Sequence, residues 1–270
     1  MYKVLVSDLD ETLLRDDRTI SQEDIKAIKA MRDHGYRFVP ATGRAYETVN
    51  GTLKELGLFD LENEYVISYN GGCITENKDN KILFFKGLDF DLASEIYKRG
   101  INYDVNVHVY GNQMVYMYNL NEDEIRYLNN RMAITETDSK DIEFLRGDRI
   151  AKLVFSNTDY SYLKKIEEDF SDLKDRLSIS YSSGRYIEFN PVGIDKGFGL
   201  CNLSKIIGVG IDQIVAIGDN VNDLPMIKQA GMGVGVANSN PDIIKDCGYI
   251  TKASNNQSAI AECIHTFFEL

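Results

Sequence analysis

The sequence predicts an α/β protein: a doubly wound parallel-sheet core, Rossmann-like, interrupted by an inserted α+β domain. Three observations carry that prediction. Residues 1–82 alternate short, continuously apolar runs with helical patterns, the texture of a parallel sheet covered on both faces. Residues 83–188 alternate apolar and polar side chains around turn signals, the period-2 texture of antiparallel hairpins. Residues 189–270 return to the first texture. The expected division is therefore a core of 1–82 and 189–270 with an inserted domain at 83–188. Hinge-like linkers are expected at both crossings.

Each element follows from its local chemistry. "YKVLVSD" reads as the first, buried strand. The next helix is punctuated: Ser21 is placed to N-cap it, Asp24 stands where a capping box wants an acid, and Gly35 ends it. Ile25, Ile28 and Met31 form its apolar stripe. "YRFVPATG" is the second strand, "ETVNGTLKELG" a helix stopped by Gly57, and "EYVISYNGG" the third strand. Pro40 falls inside the second strand, which should lie between two neighbours. Proline cannot donate to a ladder, so pairing is expected to be lost by that residue.

In the insertion, "VNVHVYGNQMVYMYN" alternates around Gly111-Asn112 and predicts a hairpin. A helix near 122–131, the strand "AKLVF", a helix near 160–171 and the hairpin "LSISYSSGRYIEF" follow. Ten of the sixteen tyrosines lie in this stretch, and they are expected to pack on a sheet face. Beyond Asn190 come a helix in "DKGFGLCNLSKIIG", the strand "QIVAIGDN", and a helix in "NDLPMIKQAG" whose Pro225 fits only the first turn. Short strands in "GMGVGVAN" and "GYITKA" and the amphipathic "SAIAECIHTFFEL" close the chain.

Composition excludes several classes of function. The chain has 270 residues, 43% hydrophobic and 27% charged, an ordinary globular balance. Its net charge of −12 opposes nucleic-acid binding, where counterion release rewards a basic surface, and docking on an anionic membrane. No apolar run approaches the roughly 20 residues that span a bilayer. The chain enters a strand at once, without the pattern of a signal peptide. Cys73, Cys201, Cys247 and Cys263 have no metal-binding spacing and read as reduced core thiols, which points to the cytoplasm. His34 suits a helix end, His108 is expected to face solvent, and His265 lies on a helix surface. No histidine metal site is expected.

The chemistry lies at the strand ends. In "LVSDLDETLL", Asp8 and Asp10 follow an apolar run, where burying like charges is costly unless something compensates. Ligands in open parallel sheets collect at the carboxyl ends of the strands. The second strand delivers Thr42, Gly43 and Arg44, a later helix starts at Lys196, and "GDNVND" supplies Asp219, Asn222 and Asp223. Three or four hard oxygen ligands suit Mg²⁺. A hydroxyl, a backbone N–H, an amide and an ammonium suit a phosphate. Mg²⁺, with Lys196 as a second positive charge, is the compensation expected for Asp8 and Asp10.

"DLDETLL", "ATGR", "GIDKG" and "GDNVND", in that order, resemble the four motifs of the haloacid dehalogenase superfamily. An insertion of α-β-β pattern between the second and third motifs resembles the class IIB cap of the Cof-type phosphatases. The resemblance implies a phosphatase acting on small-molecule phosphate monoesters, sugar phosphates or similar metabolites. It implies that Asp8 attacks phosphorus and becomes an aspartyl phosphate. Asp10 would protonate the leaving oxygen and then activate water. Leu9, Thr42, Gly43, Lys196 and Asn222 would hold the phosphoryl oxygens, and Arg44 would touch the substrate beyond them. Asp8, Asp219 and Asp223, with the carbonyl of Asp10, would hold Mg²⁺. Phe198 departs from the resemblance, standing where a small residue is expected. A phosphotransferase or mutase would use the same aspartyl phosphate. A phospho-accepting signalling module would use a similar acidic cluster, but the inserted domain of about 100 residues weighs against it.

Overall fold

The structure is a computed structural model, and it describes residues 1–111, 114–128 and 132–270. In chain order the first elements are β1 (Val4–Ser7), α1 (Gln22–Asp33), β2 (Arg37–Pro40), α2 (Asn50–Glu55), β3 (Tyr65–Ser68), β4 (Cys73–Glu76) and β5 (Lys81–Phe85). Next come α3 (Phe90–Gly100), β6 (Asn106–Tyr110), β7 (Val115–Tyr118), α4 (Glu122–Leu128), β8 (Ile134–Thr137), β9 (Lys152–Ser156), α5 (Tyr160–Asp169), β10 (Leu177–Ser182) and β11 (Tyr186–Pro191). The last are α6 (Lys196–Ile207), β12 (Ile214–Gly218), α7 (Leu224–Gln229), β13 (Met232–Gly235), α8 (Pro241–Ile244), β14 (Tyr249–Ile250) and α9 (Ala259–Phe267). The chain forms two compact units, Met1–Phe85 with Asp195–Leu270, and Lys86–Ile194.

The first unit is built on a parallel sheet of order β14-β13-β12-β1-β2. Its strands are apolar on both faces because both are covered. Leu5, Val215, Ile217 and Val234 pack toward α1 and α9, while Val4, Val6, Ile214 and Ala216 pack toward α6 and Met226 of α7. Ser21 caps α1 by accepting from the Asp24 N–H at 2.9 Å. The Asp24 carboxylate accepts from the Ser21 hydroxyl and, at 2.7 Å, from the Ala261 N–H, tying α1 to α9.

Pro40 behaves differently from expectation. β2 stays paired with β1 through Ser7↔Pro40, and the Ala41 N–H donates to Ser7 at 2.7 Å. In an extended strand, successive N–H groups point to opposite sides. Arg37 and Ala41 donate toward β1, so the missing Pro40 donor faces β3. There, pairing begins only with the Ala41↔Ile67 bridge and the Thr42 N–H to Ile67 bond of 2.9 Å. The third strand therefore joins the parallel sheet by a single bridge. It belongs mainly to an antiparallel sheet, β3-β4-β5, whose second and third strands the sequence pattern did not suggest.

The second unit is a six-stranded sheet of order β10-β11-β9-β6-β7-β8, antiparallel except between β7 and β8. One face packs Val107, Val109, Leu153, Phe155, Ile187 and Phe189 with α3 and α5, and Tyr103, Tyr116, Tyr118, Tyr162 and Tyr181 lean on this core. The other face is polar yet buried, with Asn106, His108, Lys152, Ser156 and Glu188. His108 is thus not exposed as expected but 1% accessible. It points away from the apolar core on a strand with neighbours on both sides, and Glu124 of α4 stands 3.6 Å from its Nε2. The Gly111-Asn112 turn and the end of the helix expected near 122–131 fall partly outside the described residues. Cys73 and Cys263 are buried, Cys201 and Cys247 only partly so, and none of the four forms a disulfide. No helix among the described residues is long and apolar enough to cross a membrane.

Candidate active site

Four distant segments of the first unit meet at the carboxyl ends of its central strands. β1 delivers Asp8, whose N–H donates to Ile217 of β12 at 3.0 Å. The chain then turns back on the Leu9 carbonyl, which accepts from Leu13 and Leu14, with Glu11 in a left-handed conformation at φ 60°. The Leu9 side chain is fully buried in the core, so only its backbone is available to a ligand. β12 delivers Asp219, and the following turn returns Asp223 beneath it. A Cβ at Gly218 would lie 2.5 Å from the Asp223 Cβ and Cγ, so glycine permits this return. α6 delivers Lys196 in its first turn, behind the N-cap Asp195, which accepts from the Phe198 N–H at 2.7 Å. The Phe198 ring turns to Phe84 of β5, centroids 5.7 Å apart, and so packs beside the sheet.

Asp8, Asp219 and Asp223 each offer a carboxylate oxygen within 4.8 Å of the others, and all three are buried. Among the described residues this is the only such group of acids, histidines or cysteines. The fully buried Lys196 ammonium donates to Asp8 and, at 2.5 Å, to Asp223 Oδ1. Asp223 Oδ2 accepts the backbone N–H groups of Asp219 and Asn220, each at 3.0 Å. Both oxygens of Asp223 are therefore engaged by the protein. Asp219 Oδ1 accepts from the Thr12 hydroxyl at 2.8 Å.

Three carboxylates against one ammonium leave this buried cluster short of positive charge. The titration of Asp8 and Asp219 reflects their burial first and that deficit second. Burial raises the Asp8 carboxyl well above its ordinary range against the pull of Lys196, and Asp223 and Asp219 raise it further. Burial and then Asp223 push Asp219 up to about 6, with the Thr12 bond opposing. Burial alone would lower Lys196, but Asp223 and Asp8 outweigh it and hold the ammonium charged. An all-oxygen donor set with excess negative charge fits a hard divalent cation such as Mg²⁺.

The remaining expected residues form a second group. Thr42, 1% exposed, accepts from the Arg44 N–H at 3.1 Å through its hydroxyl and from the Asn70 N–H at 3.0 Å through its carbonyl. Beside Gly43 there is little room, since a Cβ would lie 3.1 Å from Asn70 Oδ1. Asp10 pairs with Arg44 in a fork: Arg44 Nε donates to Oδ2 at 2.9 Å and Nη2 to Oδ1. Asn222 is exposed on the turn before α7 and takes no part in the hydrogen-bonded cluster. Sequence reasoning assigned no part to Thr12, Asn70 or Asn220. Thr12 had a signal, as the threonine of D-x-D-x-T. The other two act through backbone donors, which residue type does not announce.

Residues 5–264 match the family described as haloacid dehalogenase-like hydrolase. The 5-amino-6-(5-phospho-D-ribitylamino)uracil phosphatase YcsE of Bacillus subtilis (strain 168) is 27% identical over 265 residues, covering 97% of this chain and 94% of its own. The crystal structure of a haloacid dehalogenase-like hydrolase from Bacteroides thetaiotaomicron superposes with a TM-score of 0.89 at 28% identity, covering 99% of this chain and 100% of its own. The fold is also that of the HAD subclass IIB sugar phosphatase BT4131, with a TM-score of 0.79 at 17% identity over 98% of both chains.

Proposed function

The chain belongs to the haloacid dehalogenase-like hydrolase family and is a phosphatase of it; on that premise we propose that it hydrolyses small phosphate monoesters through a phosphorylated Asp8, with Mg²⁺ bound. The observation that carries the reading is the buried set of Asp8, Asp219 and Asp223 within 4.8 Å of one another. Asp8 and Asp219 each keep an oxygen without a protein hydrogen bond among the described residues, and these would hold the ion with the Asp10 carbonyl. Asp223 is occupied by Lys196 and two backbone donors, so its part is to orient them rather than to bind the ion. When bound, the cation screens the carboxylate nucleophile from the anionic phosphoryl group and polarises the phosphoryl oxygens.

The residues then divide the work. The Asp8 oxygen that faces Lys196 bonds to phosphorus as the ester P–O bond breaks, and Asp10 gives its proton to the departing oxygen. Next, Asp10 takes a proton from water as the water oxygen bonds to phosphorus and the Asp8–phosphorus bond breaks. Thr42, Lys196 and the backbone at Leu9 and Gly43 hold the phosphoryl oxygens, and Asn222 joins them from its exposed turn. The second unit acts as the cap that selects the leaving group. The names of YcsE and BT4131 share a phosphate on a polyhydroxylated carbon skeleton. Phosphorylated sugars and polyols are accordingly the substrate class proposed here.

The test is phosphate release from a panel of such esters with and without Mg²⁺, followed by acid quenching to count protein-bound phosphoryl groups. Chelation should stop turnover reversibly, and Asp8→Asn should remove both turnover and the trapped phosphoryl group. Undiminished turnover by Asp8→Asn removes the covalent route.

A further inference from the structure

Arg44 was expected to reach the substrate beyond its phosphate. The structure gives its guanidinium a different partner. Both Asp10 carboxylate oxygens are held by the Arg44 fork. Asp10 has no other side-chain hydrogen bond among the described residues, and its side chain is 53% exposed. Without Arg44, the carboxylate would turn freely on a chain already committed to a tight reversal, with Glu11 left-handed beside it. Arg44, in contrast, is fixed at its root. Its N–H donates to the Thr42 hydroxyl and its carbonyl accepts from the Tyr69 N–H at 3.0 Å. A guanidinium presents its donors as a rigid planar fork, so a two-point grip sets the plane of the carboxylate as well as its position. That matters most for a group that must deliver a proton along one direction.

We propose that Arg44 is a positioning residue for Asp10: it acts on the reaction by orienting that carboxylate, not by binding substrate. The inference rests on the function proposed above and deepens it. A placed acid–base group contributes about 10²–10⁴-fold, and loss of its orientation should remove about 10–100-fold of that. The loss should fall on kcat. A substrate-binding arginine would instead raise KM.

The experiment combines a double-mutant cycle with leaving-group chemistry. Arg44→Ala should lower kcat on an alkyl phosphate such as glucose 6-phosphate by about 10–100-fold, with KM changed less than about 3-fold. On p-nitrophenyl phosphate, whose leaving group needs no proton, the burst of nitrophenol in Arg44→Ala should persist while the later turnover slows. In an Asp10→Asn background, Arg44→Ala should cost less than about 2-fold more, because nothing remains to be oriented. Arg44→Lys should recover only part of the loss, since an ammonium offers no fork. A KM rise of more than about 10-fold with kcat retained, or equal losses in both backgrounds, overturns the proposal. Failure of the parent reading looks different: Asp8→Asn would stay active, whatever Arg44 does.

Discussion

Replacing an acid of the cluster should make the metal-free protein more stable, and Asp219→Asn is the cleanest case. Asp219 is displaced from 3.8 to about 6 in the folded chain. The displacement is about 2 pH units, and at about 1.4 kcal/mol per unit it amounts to about 3 kcal/mol. The sign follows from proton binding. Between pH 4 and 6 the folded state holds a proton on Asp219 that the unfolded chain has released. Stability therefore falls as pH rises through that window, and above about 6 the full penalty is present. Asp8, raised in the same sense, adds to it. His108 works in the opposite direction. Burial pushes its pKa down from 6.5 to about 4, so its contribution is intact above 6.5 and is lost as pH falls toward 4. The two trends oppose each other in the wild-type curve, and only the difference between proteins isolates Asp219. Urea unfolding in chelator should find Asp219→Asn more stable than wild type by about 3 kcal/mol at pH 7, the gap closing toward pH 4. The Thr12 hydroxyl keeps an acceptor in the amide, so no new unsatisfied group confuses the comparison. Adding Mg²⁺ should stabilise the wild type and narrow the gap. Equal or lower stability of Asp219→Asn at pH 7 in chelator would mean that the carboxylates are not in electrostatic deficit.

Lys196→Met removes the one ammonium shared by Asp8 and Asp223, leaving buried charges unpaired, and should cost about 3–5 kcal/mol by urea unfolding at pH 7; a loss below about 1 kcal/mol would mean those acids are neutral already. Gly71→Ala places a Cβ 2.1 Å from the Asp195 carbonyl oxygen at φ +97°, so a midpoint shift worth more than about 2 kcal/mol is expected. Gly51→Ala, with nothing within 4 Å of its Cβ inside α2, should instead be neutral or gain up to about 1 kcal/mol.

What the sequence made legible was whatever residue type and period announce. Residues 4–6 and 214–217 are apolar without a break because both their faces are covered, and a continuous run says so. The acids stood out because carboxylates are rarely found at the end of such runs. The hairpin of β4 and β5 went unread because "ENKDNK" is charged like a linker, and β5 is only partly buried. β8 went unread because Glu136 and Thr135 are exposed and its pattern lacks an apolar face. Pro40 and His108 share a different cause. Both were judged by side-chain type, while the outcome depended on which neighbour each strand edge met, and that is a property of sheet order.

The same reasoning explains why the charge deficit persists. The cluster lies where four backbone segments converge, and two of those approaches leave no room for a side chain. Gly218 admits Asp223, and Gly71 admits the Asp195 carbonyl that precedes Lys196. The chain is thus held close by contacts that have nothing to do with charge, with Ile217, Val6 and Ala216 buried on either side. Repulsion among the acids cannot relax by spreading them, because spreading would open the packed sheet and its apolar layers. A fully buried residue such as Ile217 stabilises by about 1.5–3 kcal/mol, so a few of them outweigh the about 3 kcal/mol tied to Asp219. The apolar core pins the acids at a separation that water alone would not tolerate, and the resulting negative potential is what draws a divalent cation to that point.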